Sequence, residues 1–175
     1  MSVELSPQVG LPRPCGSDEN PCQMGSERQM RKWETQTTVP GSPSAVLELL
    51  TEPEAIAEWA PVPFEIVSLA GRRLYTGSRA RVAGRLAGRA VEFEVTVFEV
   101  SGDRLALAAD GPISIDVQYV VRPVPGGSDV RASVSVEGRG LFGRVLASAT
   151  EALLAAGALR SSLDRLGRQL DLTLA

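Results

Sequence analysis

The chain has 175 residues, 43% of them hydrophobic and 22% charged, with a net charge of −3; these are ordinary values for one globular domain with a real core. A nucleic-acid surface would need a clustered basic excess, which this balance speaks against. Histidine is missing altogether, which removes Ser-His and Cys-His nucleophiles, imidazole metal ligation and the usual near-neutral acid–base group.

Residues 1–30 are rich in Pro, Gly, Ser, Glu and Gln and carry no periodic apolar face. Such a stretch buries too little to offset its ordering entropy, so it is expected to be a disordered tail. Met24 and Met30 are alternative starts, which leaves open whether the tail belongs to the native protein. Both cysteines, Cys15 and Cys22, fall within it. Two thiols with no further Cys or His cannot complete a tetrahedral zinc site, and a loop disulfide needs an oxidising compartment, so they read as incidental. Met1 to Gly10 has neither a basic start nor an apolar run, so it does not read as a signal peptide, and no segment reaches the ~20 apolar residues of a spanning helix. A cytoplasmic protein is expected.

From Arg31 the pattern changes, and residues 31–175 read as one domain. Trp33, Thr35, Thr37 and Val39 share one face of a strand, with Glu34, Gln36 and Thr38 opposite, and Pro40-Gly41 ends it. Ser42 caps a short helix with Pro43 at its first position. Thr51-Glu52-Pro53-Glu54 reads as a capping box that opens a second short helix through Ile56 and Trp59, stopped by Pro61 and Pro63.

Strands follow from Phe64 to Glu137. In Ser78 to Leu86, Ala80, Val82 and Leu86 face one way and Arg79, Arg81 and Arg85 the other. After a turn at Ala87-Gly88, Val91, Phe93, Val95 and Val97 alternate with Glu92 and Glu94, which sets arginines against glutamates on a solvent face. Phe98 and Val100 break that alternation, so a bulge is expected near Val97. Ile113, Ile115, Val117, Tyr119 and Val121 form the inner set of a further strand, which leaves Asp116 and Gln118 in water. Pro125 to Asp129 turns the chain into Val130, Ala132, Val134 and Val136. A helix then runs from Leu141 to about Leu172, far beyond the usual ~12 residues, with Gly157 marking a bend.

The order predicts an α+β fold: a curved antiparallel sheet of about seven strands wrapped around one long C-terminal helix, with two short helices after the first strand. Its inner faces are rich in Ala, Val and Thr. Helix and sheet either pack closely or leave a cavity for an apolar ligand, and composition leaves both outcomes open.

The run from Thr37 to Glu54, with its strand end, Gly-Ser-Pro helix start and Glu-Pro-Glu entry to the second helix, resembles the helix-grip superfamily of START lipid-transfer domains, plant pathogenesis-related allergens and bacterial polyketide cyclases, and its polyketide cyclase/dehydrase-like branch in particular. Trp59 stands where that family usually has a Trp, and Gly126-Gly127-Ser128-Asp129-Val130 is similar to its last hairpin. The resemblance spans Arg31 to the C-terminus and implies a pocket between sheet and long helix. Its lining would be Trp33, Thr35, Val82, Phe93, Val95 and Val134 from the sheet and Phe142, Leu146 and Leu153 from the helix, with Trp59 and Phe64 near the mouth.

In a cyclase such a pocket folds a poly-β-ketone so that an enolate carbon meets a distant carbonyl, and some polar group must move protons. Tyr119 is the best single polar candidate here; a core tyrosine is the plainer reading of it. Two functions therefore stand: a carrier or sensor of an apolar small molecule (lipid, isoprenoid or polyketide-like), and a cyclase or aromatase. A third is an interaction module with a filled core. No metal and no cofactor is expected; the expected partner is the apolar ligand, with no nucleic acid and no transmembrane segment, and a homodimer is an open alternative.

Overall fold

A computed structural model describes residues 31–175; the expected tail lies outside the described residues. Strand β1 (Lys32–Val39) alternates half-buried Trp33, Thr35 and Thr37 with exposed Glu34, Gln36 and Thr38. Helix α1 (Pro43–Thr51) starts where the Ser42 hydroxyl accepts the Ala45 N–H at 3.3 Å, satisfying one of the amides that a first turn leaves unpaired. Val46, Leu47 and Leu50 are its buried side. Helix α2 (Pro53–Trp59) follows at once.

The expected capping box does not form. Thr51 belongs to the last turn of α1, and its hydroxyl donates to the Leu47 carbonyl at 2.7 Å. Glu52 takes the N-cap position of α2 without a side-chain cap. A Thr that continues the preceding helix cannot also adopt the extended backbone of a cap.

Six strands then run as a meander: β2 (Phe64–Leu69), β3 (Arg79–Leu86), β4 (Arg89–Val100), β5 (Arg104–Asp110), β6 (Ile113–Val124) and β7 (Gly127–Gly138). Strand β1 closes the far edge on β7, so the seven-stranded antiparallel sheet has the order β1-β7-β6-β5-β4-β3-β2. Val82 lies opposite Phe93 and Arg81 opposite Glu94, as the alternation predicts. The β4–β5 register shifts between Val97 and Glu99, which is the expected bulge, and Phe98 is pushed into solvent there.

The C-terminal helix is not one rod. It divides into α3 (Gly140–Ala155) and α4 (Ala158–Leu174), bent by 57°. Gly157 sits between them at φ 90°, a left-handed conformation that ends the run of i to i−4 bonds. The bend lets α3 pack on β7 while α4 crosses to β1 and α2. Replacing Gly157 by Ala puts a Cβ on a left-handed residue and should cost about 1 kcal/mol, read as a lower melting temperature with unchanged spectra.

The core is unevenly placed. Val121, Val130, Ala132, Leu146, Leu163, Leu166 and Leu170 are all buried to within 1%, so the β6–β7–β1 half of the sheet is filled by α3 and α4. The β2–β5 half is covered more thinly: α1 packs on β5, α2 on β2, and α3 reaches only β3 there. No single helix among the described residues is long and apolar enough to cross a membrane.

Candidate functional site: an apolar cavity in two lobes

The thinly covered half of the sheet holds two cavities of about 160 Å3 each. The first lies under α2, between Pro53 and Ile56 above and Ala80, Val82, Val95 and Leu107 below, with Phe64, Ile66, Leu69 and Leu74 at its sides. The second lies toward α3 and is lined by Val62, Pro63, Leu86, Val91, Phe93, Ala109, Ile115 and Thr150 among others. Phe64 and Val82 line both, so the two lobes adjoin at these side chains, which form the waist between them. Both open toward solvent on one side, and an enclosed apolar cavity of about 150 Å3 is enough to take up a benzene-sized molecule.

The room arises from side-chain size. Ala80, Val82, Gly84, Val95 and Ala109 face inward at neighbouring positions on three strands, where the filled half of the sheet presents Tyr119 and meets Leu163 and Leu166. The walls offer almost nothing polar. The Thr150 hydroxyl donates into its own helix, to the Leu146 carbonyl at 2.9 Å, and so leaves the cavity only its carbon atoms. Arg85 reaches the edge from an exposed position.

Four of the residues expected around a pocket are brought together here: Phe64, Val82, Phe93 and Val95. Val134 and Leu146 lie in the packed core. Thr35 is half-buried on β1, and Trp33 borders a surface groove with Ser148, Glu151 and Ala155 of α3. Phe142 and Leu153 are on the outer side of α3, 47% and 45% exposed, because the helix seats Gly143, Ala147, Thr150 and Leu154 on the sheet instead. Ile56, Leu74, Leu107, Ala109 and Thr150 also line the space. Leu107 and Ala109 follow from Val97 and Val95 by the β4–β5 register, a signal available only once the bulge is placed.

Trp59 and Tyr119 are buried against each other, ring centroids 5.9 Å apart and planes at 86°, outside the walls of both lobes. The Trp59 carbonyl accepts the Ser162 hydroxyl at 2.7 Å, which ties α2 to α4, while its indole N–H has no acceptor among the described residues. Burial pushes the Tyr119 phenol well above its ordinary value of 10.0, since an ionised ring would lose its hydration. It therefore stays neutral in the folded chain while an unfolded chain ionises near pH ~10. Stability from this residue is constant below that pH and falls as pH rises above it, because the native state then holds the extra proton. Tyr119→Phe should flatten this alkaline decline in a series of denaturant melts. At neutral pH it should change stability little, because the hydroxyl makes no hydrogen bond among the described residues.

The arrangement has the helix-grip fold, and solved structures share it. The ZhuI aromatase/cyclase from Streptomyces sp. R1128 superposes with a TM-score of 0.66 at 14% identity, over 83% of this chain and 96% of that one. TTHA0849 from Thermus thermophilus gives 0.64 at 18% identity, over 83% and 100%. Protein CV1439 from Chromobacterium violaceum gives 0.60 at 15%, over 79% and 96%. No curated protein matches the chain. The profile of the polyketide cyclase/dehydrase and lipid transport family matches residues 30–171, and the chain belongs to that family. The expected resemblance thus holds at the level of family and fold.

Proposed function

We propose that residues 31–175 act as one ligand-binding domain that carries or senses an apolar small molecule, a lipid, isoprenoid or polyketide-like compound, in the cytoplasm. The observation that carries this reading is the two-lobed cavity, whose walls are apolar and whose waist is Phe64 and Val82. Binding there draws on buried apolar area, about 25 cal/mol per Å2, and needs neither a cofactor nor a metal. Among the described residues no three His, Cys, Asp or Glu side chains gather where a metal could sit.

Family membership keeps the cyclase reading as the alternative. Ring closure needs a group that shuttles protons within reach of the substrate. Tyr119, the sequence's candidate, is packed on Trp59 away from both lobes, and this favours the carrier. Titration with the uncharged fluorophore N-phenylnaphthylamine tests the choice between a ligand site and a filled interaction module. Saturable enhancement with one site per chain is expected; the absence of any uptake would return the domain to the interaction-module reading.

A further inference from the structure

Helix α3 is apolar nearly all the way round. At about 100° per residue, Gly143, Leu146, Ala147, Thr150 and Leu154 form the face buried on the sheet. Arg144, Ser148 and Glu151 occupy the flank toward β1, where Glu151 pairs with Arg31 at 3.6 Å. The remaining arc carries Leu141, Phe142, Val145 and Leu153, which are 83%, 47%, 66% and 45% exposed. A surface helix ordinarily turns a polar face to water, and a contiguous patch of large apolar side chains marks an interaction surface.

Two observations say what lies against it. The patch is continuous with the cavity mouth: the Arg89 guanidinium, on the β3–β4 hairpin, lies 5.3 Å from the centre of the Phe142 ring, and Thr150 faces Val62, Pro63 and Arg85 across the second lobe. The rim is also basic. Arg85, Arg89 and Arg139 are all exposed, and none makes an ion pair among the described residues. Glu151 is the one acid on α3 and lies toward β1. Glu92 and Glu137 alternate with buried Val91 and Val136, which puts them on the outer face of the sheet.

We infer that the outer face of α3 docks on an anionic lipid surface, with Leu141, Phe142 and Val145 entering the interface and the arginines meeting headgroup phosphates. This goes beyond the ligand reading and does not depend on it; it adds a place where a carried molecule could be loaded or released. A second copy of the chain would cover the same leucine and phenylalanine, but this face carries no acid to offset the rim arginines of a partner copy.

Flotation of the full chain with vesicles tests this. Binding is expected to vesicles of phosphatidylcholine and phosphatidylglycerol in equal parts, much less to phosphatidylcholine alone, and to weaken as salt is raised. The pairs Phe142→Ser with Val145→Ser, and Arg89→Glu with Arg139→Glu, should each lower partition about tenfold. Phe98→Ser, at an apolar side chain exposed on the β4 bulge, should leave it unchanged. All five positions are exposed, and a melting curve for each variant confirms that it folds. The inference is overturned if the parent chain does not float with anionic vesicles, or if Phe98→Ser loses as much as the α3 variants. It is equally overturned if the chain forms a dimer that Phe142→Ser with Val145→Ser dissociates, since the face would then be a self-interface. The readout needs no ligand, so a failure here leaves the cavity reading standing.

Discussion

Val82→Phe should abolish uptake of N-phenylnaphthylamine, lowering affinity about 100-fold, or about 3 kcal/mol, while the chain stays folded. Val82 borders both lobes and sits opposite Phe93 in the β3–β4 register. A phenyl ring there enters the waist beside Phe64 and separates the two lobes, which leaves no continuous space for the three rings of the probe. Overpacking a filled core typically costs about 1–3 kcal/mol. Here the ring moves into empty volume, so stability should change by less than that or rise. The two readouts separate the alternatives. If the interior were filled in solution, Val82→Phe would destabilise the fold markedly, and there would be no probe binding to lose.

Gly138→Ala should destabilise the fold by about 3 kcal/mol, seen as a lower denaturation midpoint at unchanged slope. A Cβ on Gly138 would collide with the Gly143 carbonyl oxygen, and would stand 2.6 Å from its carbonyl carbon and 2.9 Å from the Ala147 Cβ. Gly143 is as tightly held on its own side: a Cβ there would lie 2.7 Å from the Pro112 carbonyl oxygen. The first turn of α3 thus rests backbone-on-backbone against the end of β7 and the β5–β6 turn. A methyl group must push the helix outward, and the mouth of the second lobe widens with it. Probe affinity should fall alongside stability, in contrast to Gly157→Ala, whose added methyl meets nothing within 4 Å and whose effect is on the backbone alone.

The same two glycines explain where sequence reading stopped short. Strand alternation is a local signal, and it placed Val82, Phe93 and Tyr119 on the inner face because each side chain follows from its neighbours. The bulge at Phe98 and the turn at Ala87-Gly88 were legible for the same reason. The phase of α3 was not. Leu, Val and Ala occupy most of its circumference, so an apolar stripe can be drawn through Phe142 and Leu153 as readily as through Leu146 and Leu154. What sets the phase is the close approach of Gly138 and Gly143, and glycine carries no hydropathy. The division of the C-terminal helix is a related case. Gly157 announces a weak point, but whether it bends or breaks the helix depends on α4 finding β1 and α2, contacts that lie more than a hundred residues away in the chain.

The cavity itself was half legible. Small residues on β3 and β4 gave the space between Val82 and Val95, and Phe64 followed from the strand that begins at it. Its other walls come from loops and short helices that give little periodicity to read: Leu74, whose N–H donates to the Thr51 carbonyl at 2.8 Å, and Ile56, one turn before Trp59 on α2. That the empty space would lie in the β2–β5 half, and Tyr119 outside it, followed from how α3 and α4 share the sheet between them.

Native mass spectrometry of the chain purified from its own host shows whether the cavity holds a ligand. A retained apolar molecule is expected in the parent protein and should be missing from Val82→Phe prepared in the same way. A parent chain that repeatedly emerges at its bare mass, and that also fails to take up N-phenylnaphthylamine, would contradict ligand binding there.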